Sequence, residues 1–399
     1  MEATLTRSIA TCPRAGASRP VAARVAVATL FFVNGALIAT WVSRIPAVQV
    51  AQRLSNGTLG LALLAMATGA VIAMPLIGSL TKRFGSDRLS QIAVVAYSAL
   101  LPWLMATSNK AAFFATLFLF GAAHGSLDVA MNAQAVAVAK RYPHPIMSSF
   151  HALFSAGGFV GAAAGGLLAG IGVEPLIHFA FAALLLGGTA VFACRHLFYA
   201  DEERGTVSPA ATPRMRIPGV SGGLIALGAV AFCALVGEGA MADWSAVYLR
   251  NIVRTTEGLA AAGYAAFSVA MLAGRLIGDW LTSRFRSVNV VRAGGGLSAA
   301  GLALALLAPE PTIVLLGLAC VGAGLSSVVP IVFTAAGDHA GISPGVALGL
   351  VTTMGYLGFL AAPPFIGFAA DAIGLRYALA VVVATSALIV ALAPSVGRS

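Results

Sequence analysis

The sequence predicts an all-α membrane protein of twelve transmembrane helices, arranged as two six-helix pseudo-repeat bundles. Three observations predict it. About twelve stretches of roughly 20 residues are apolar enough to cross a hydrocarbon core about 30 Å thick. Charge is scarce: 10% of the 399 residues are charged and 59% are hydrophobic. The second half also repeats features of the first at a nearly constant offset of 201 positions.

Composition narrows the classes of function. A net charge of +10 can point to nucleic acid. Here the basic residues are scattered between apolar spans with no interleaved aromatics, so no nucleic-acid partner is expected and the lipid bilayer is. Cys12, Cys194, Cys233 and Cys320 are far apart and lack CxxC or Cys/His ligand spacing. They read as small buried hydrophobes, with no metal and no cofactor. No GxxxxGK[ST] phosphate loop, HExxH or GxSxG occurs, so neither ATP-driven chemistry nor an enzyme is expected.

The elements follow in order. Residues 1–24, with Arg7, Arg14, Arg19 and Arg24, form an N-terminal tail. The first apolar stretch, 25–43, has no clear small-residue cleavage site before its polar end, so it reads as a retained helix. Further spans are expected at 57–80, 89–107, 111–139, 146–171 and 174–198, completing a first bundle over 25–198. Residues 199–218, with the run Asp201-Glu202-Glu203-Arg204, read as a linker. Spans at 219–249, 257–280, 289–308, 311–336, 345–371 and 374–395 make a second bundle over 219–395, followed by a tail at 396–399. Most of the 24 Lys and Arg, among them Lys82, Arg83, Arg88, Lys140, Arg141, Arg284 and Arg286, fall on the side of the termini. By the positive-inside rule, both termini are expected in the cytoplasm of a multi-pass protein of the cell's inner (plasma) membrane.

The halves match at particular residues. Leu80-Thr81-Lys82-Arg83-Phe84 parallels Leu281-Thr282-Ser283-Arg284-Phe285; Gly121-Ala122 parallels Gly322-Ala323. Gly157 pairs with Gly358 and Gly166 with Gly367. Asn34-Gly35-Ala36 with Trp41 resembles Glu238-Gly239-Ala240 with Trp244, one residue shorter. Parallel repeats of this kind mark two-bundle transporters.

At these residues the chain resembles the major facilitator superfamily. The loop Gly78 to Arg88 is similar to that family's GxLaDrxGrr signature, departing from it at Thr81, where the family has Asp. A closer similarity is to the fucose-permease-like branch, including bacterial inner-membrane transporters of the YbjJ type. It is carried by Trp41-Val42-Ser43-Arg44-Ile45-Pro46, Gly125 to Asn132, Glu238-Gly239-Ala240 with Asp243-Trp244, and Thr352 to Phe359 followed by Pro363-Pro364. The resemblance implies a secondary active transporter, a monomer by default, that moves a small polar solute such as a sugar or related metabolite by alternating access, in symport with protons or otherwise coupled to an ion. An exporter of the same fold, or a transporter-like receptor that binds without translocating, are the alternatives.

Ionisable residues inside a membrane are costly and usually face a cavity or a partner. His124, Asp128 and Asn132 are spaced i, i+4, i+8 and share one helix face. Asp128 is a proton-coupling candidate, with His124 and Asn132 as substrate-binding candidates; a local polar network between helices is the competing account. Glu238, flanked by Gly237 and Gly239, is the second proton-coupling candidate. Asp243, Trp244, Tyr356, Asn34, Trp41 and Arg44 are further substrate-binding candidates. For Arg44 and Trp41 interface anchoring competes, and for Asp243 a pair with Arg250. Gating candidates are Lys82, Arg83 and Asp87 after span two, and Arg275, Asp279 and Arg284 around span eight, Arg275 and Asp279 as an i, i+4 ion pair. His151 is a weaker candidate for either role. Gly157, Gly158, Gly161, Gly165 and Gly166 read as a close-packing face. Pro330 and Pro363-Pro364 are expected to break or bend their helices.

Overall fold

The computed structural model of the chain describes residues 18–144, 146–199, 221–339 and 343–397. Most of the expected tail 1–24, and the linker 199–218 from residue 200 on, lie outside the described residues. So do the side chains of Lys82 and Asp279.

The first six helices are α1 (Ser18–Ala51), α2 (Asn56–Phe84), α3 (Ser86–Ala106), α4 (Lys110–Ala139), α5 (Met147–Gly170) and α6 (Pro175–Cys194). The second half holds α7 (Gly222–Asn251), α8 (Glu257–Arg284), α9 (Ser287–Leu307), α10 (Pro311–Leu325), α11 (Val328–Gly337), α12 (Pro344–Ile373), α13 (Leu375–Ala378) and α14 (Ala380–Leu392). Together they make twelve crossings apolar and long enough for a bilayer; α10 with α11, and α13 with α14, each share one. An even number of crossings puts the start of α1 and the end of α14 on one face, called here the termini face; the other is the far face.

Several helices outrun the apolar spans. α1 was expected over 25–43 and continues through Arg44, Pro46 and Gln49 to Ala51. Its polar end is buried against other helices, so helix formation continues where the hydropathy signal stops. Span ten is interrupted at Ser326 and Ser327, between α10 and α11. Pro330 thus falls in the first turn of α11, where a missing N–H costs nothing. Pro363 and Pro364 sit inside a single α12.

The repeat extends from sequence into packing. In the first half α1 packs on α5 and α6, α2 on α4, and α3 on α4 and α6; in the second α7 packs on α12 and α14, α8 on α10, and α9 on α10 and α14. The matched glycines sit where helices cross: Gly157 meets the Phe32 carbonyl of α1, and Gly358 meets the Phe232 carbonyl of α7. Gly121 lies against Met66 and Gly322 against Phe267 in the equivalent α2–α4 and α8–α10 crossings. A β-carbon at any of the four would collide with backbone, so small residues set how closely the helices approach. Caps repeat too. Ser55 accepts from Thr58 N and Thr256 from Leu259 N; Asn109 accepts from Ala112 N and Glu310 from Thr312 N. Each satisfies a donor that a helix start leaves open. The turns before α2 and α8 each carry a left-handed arginine, Arg53 (φ 50°) and Arg254 (φ 61°).

The two bundles meet along α5–α8 and α2–α12, with a smaller contact of α1 on α7 and α8. The two long seams are equivalent under the repeat, so the interface inherits the pseudo-symmetry of the chain.

Candidate functional site

The centre of the bundle interface gathers several polar residues of the spanning helices. Its first-bundle wall is built from α1 and α4. His124 Nδ1 lies 2.9 Å from Asn34 Oδ1, and Asn34 is fully buried. The Asn34 amide also approaches Met131 Sδ at 3.7 Å, and the Tyr97 ring packs on His124 with centroids 5.3 Å apart. Asn132 Nδ2 donates to the Asp128 carbonyl at 2.8 Å and to Asp128 Oδ1 at 3.3 Å. The i, i+4, i+8 face is thus one stripe: His124, Asp128 and Asn132 are each half-buried. Tyr356, on α12 of the other bundle, is near enough to Asp128 for the two to interact electrostatically.

The second-bundle wall centres on Glu238 of α7. Arg275 Nη2 of α8 is 3.7 Å from Glu238 Oε2, with 17% of the Glu238 and 29% of the Arg275 side chain exposed. Arg275 Nη1 also donates across the interface to Ser155 Oγ of α5 at 3.0 Å. Arg275 thus reaches inward to Glu238 and Ser155, while the Asp279 side chain of the expected Arg275–Asp279 pair lies outside the described residues. The physical reason is depth. α8 runs on to Arg284, so at 1.5 Å per residue Arg275 lies about 14 Å inside the end of its helix. Asp243, five residues beyond Glu238, is half-buried and near Tyr264. It has no pair with Arg250, whose Nη1 donates instead to the Thr255 carbonyl at 2.7 Å.

Other candidates are brought elsewhere. Trp41 and Trp244 are 1% and 0% exposed, so neither offers a ring face to a ligand in this conformation. Trp41 packs near Phe113, and both indole N–H groups are without a hydrogen-bond partner among the described residues. Arg83 is exposed and lies over the Phe84 ring, and Arg284 is exposed at the end of α8. Asp87 is half-buried in the first turn of α3, its Oδ1 unpartnered among the described residues. His151 packs its ring edge-on against Phe31, with centroids 5.2 Å apart.

Arg44 is neither an interface anchor nor part of this central group. It is 2% exposed near the far face. Its Nε donates to His178 Nδ1 at 3.2 Å, Nη2 to the Val173 carbonyl at 2.9 Å, and Nη1 to Glu257 Oε2 at 3.4 Å. Glu257 opens α8, so this contact ties one bundle to the other. His178, Glu257, Ser155 and Tyr264 were not singled out from the sequence. Glu257 reads there as an ordinary acid in the first turn of a helix, and nothing local marks the others; the repeat alone could have aligned Glu257 with Asn56.

A twelve-helix, two-bundle membrane protein with polar residues gathered at the bundle interface has the build of a secondary transporter. Residues 25–363 match the Major Facilitator Superfamily, and the chain belongs to that family. It is 35% identical over 383 residues to an uncharacterised MFS-type transporter of Yersinia pestis, covering 96% of this chain and 97% of that one. It is 34% identical over 370 residues to membrane protein MosC of Rhizobium meliloti, covering 91% and 88% of the two chains. Among solved structures, the nucleoside transporter NupG aligns with a TM-score of 0.73 at 14% identity, over 94% of this chain and 98% of that one. FucP in its outward conformation aligns with a TM-score of 0.61 at 20% identity, again over 94% and 98%. At these identities the solved structures speak for the fold.

Proposed function

We propose that the chain is a proton-coupled carrier of a small polar solute, working by alternating access, with the substrate held between the α1–α4 wall and the Glu238–Arg275 wall. The observation that carries the reading is the Glu238–Arg275–Ser155 bridge. One guanidinium holds a carboxylate of its own bundle and a hydroxyl of the other. A proton arriving on Glu238 removes the charge that holds Arg275 in place, and with it a contact between the bundles. Protonation and bundle movement then become one event. Asp128, on the opposite wall beside Tyr356, is the second proposed proton site. His124, Asn132, Asp243 and Tyr356 are the proposed substrate contacts, chosen because each is a half-buried hydrogen-bonding side chain; Asn34, fully buried, is proposed to hold His124 from behind. FucP is described as a fucose:proton symporter and NupG as a nucleoside transporter, which supports a hydroxyl-rich solute and symport. The proposed setting is the bacterial inner membrane with both termini cytoplasmic, supported by the charge bias of the loops.

The test is a pH-jump assay in proteoliposomes carrying an internal pH dye, run with pooled sugars, nucleosides and small metabolites. Substrate-dependent proton movement that Glu238→Gln or Asp128→Asn loses is the expected result. Full pH-dependent transport in both variants overturns the proton sites. Labelled solute crossing without protons leaves a uniporter.

A further inference from the structure

We propose that Asp371 is a latch that holds the far face of the transporter shut by capping helix α2 from the opposite bundle. The inference rests on the alternating-access reading and assigns one step of it to one side chain.

Asp371 lies near the end of α12, and its two carboxylate oxygens accept from consecutive backbone donors of α2. Asn56 N donates to Oδ1 at 3.0 Å and Gly57 N to Oδ2 at 2.9 Å. These are first-turn N–H groups, which have no partner within their own helix. The cap of α2 itself, Ser55, accepts from Thr58 N, so the two acceptors that α2 lacks come from across the seam. A carboxylate at a helix N-terminus is also favoured by the helix dipole.

The approach is built for this contact. A β-carbon at Gly367, one turn before Asp371, would lie 2.5 Å from the Asn56 carbonyl, and one at Gly57 would lie 2.7 Å from Asp371 Oδ2. Glycine on both helices brings the carboxylate down onto the helix start. The latch is also easily undone. Asp371 is exposed, so when the seam parts, water takes over its oxygens and the two N–H groups.

The repeat provides an internal control. At the equivalent seam, residue 170 of α5 takes the place of Asp371, and it is glycine. Gly258 there meets Gly166 and Gly170 backbone directly. The carboxylate cap is an addition to one seam of two and is not required to bring the helices together.

The experiment measures distances by spin labels in a background with the four native cysteines replaced by serine. One label pair, at Ser108 and Leu307, spans the far face; a second, at His144 and Arg286, spans the termini face. Neither needs a substrate. Asp371→Ala is expected to raise the open-to-closed ratio of the far face roughly tenfold, the order set by losing charge-assisted bonds at a helix start. The termini-face pair shortens in step. Asp371→Asn, which keeps one acceptor oxygen, gives an intermediate shift, and Gly57→Ala, which pushes on the same carboxylate from the other side, moves the far pair in the same direction. An unchanged far-face distribution in Asp371→Ala overturns the proposal, including the case in which melting temperature falls without any redistribution. Absence of solute flux in the wild type would instead count against the transporter reading, independently of the distances.

Discussion

The α2–α12 and α5–α8 seams are mates under the internal repeat, yet they are closed by different chemistry. At α5–α8 the closure is backbone against backbone, Gly258 on Gly166 and Gly170, backed by the Arg44–Glu257 pair at 3.4 Å. At α2–α12 the approach of Gly60 to Pro363 and of Gly367 to Asn56 is backed by the Asp371 cap. The two seams share what shape demands, glycine at the close approaches Gly57/Gly258 and Gly367/Gly166, and differ in their polar fastening. Close approach cannot be achieved with a large residue, whereas a fastening can be any donor and acceptor that meet.

The largest effect that can break this comparison is steric. Gly258→Leu drives a side chain into α5 backbone, which cannot yield as a flexible side chain can. The far face should then fail to close and solute accumulation in proteoliposomes should be lost. Closure in that variant, seen as an unaltered far-face distance, would refute the view that glycine contact governs the seam.

Next comes Glu238→Gln, which removes the charge partner of Arg275 while keeping the shape. Proton-coupled flux should drop by at least about tenfold, the range expected when a charged intramembrane partner is lost. Ser155→Ala, which removes only the inter-bundle acceptor and leaves the Glu238–Arg275 pair, should lower proton-coupled flux by a smaller factor. Equal losses in the two would dissolve the proposed division of labour.

Arg44→Ala sharpens the contrast between seams. It deletes three hydrogen bonds, two of them within its own bundle, and exposes His178 and the Val173 carbonyl to water. A stability loss of about 2 kcal/mol is expected from charge-assisted bonds of this kind. The Glu257 share of it is small, because that side chain is 42% exposed and exposed pairs are weak. Thermal unfolding of Arg44→Ala beside Glu257→Gln checks this: the first should fall well below the second.

The smallest effect tests the repeat itself. Ser55→Ala and Thr256→Ala remove equivalent caps and should each cost about 1 kcal/mol. A clear inequality would mean that Asp371, present at only one of the two helix starts, already carries part of the cap's work.

The sequence by itself determined the class of fold, because a backbone in hydrocarbon must be satisfied internally and about twelve apolar stretches have the length a spanning helix needs. It also made the repeat legible through glycines at crossings, since Gly157, Gly358, Gly121 and Gly322 answer to a local steric demand that any one position reveals. His124, Asp128 and Asn132 were readable as one face because helical period is a local property. What the sequence could not supply was the partner of each charge. Arg275 is spaced for Asp279 along its own helix, but its guanidinium reaches Glu238 and Ser155 on two other helices. Arg44 reads equally as a membrane anchor or a substrate contact until the fold brings His178 and Glu257 to it from 134 and 213 residues away. Asp371 carries no local signal at all, because its meaning lies in a helix start 315 residues earlier. Helix formation is decided within a few turns, whereas the pairing of long polar side chains is decided by how the bundles dock.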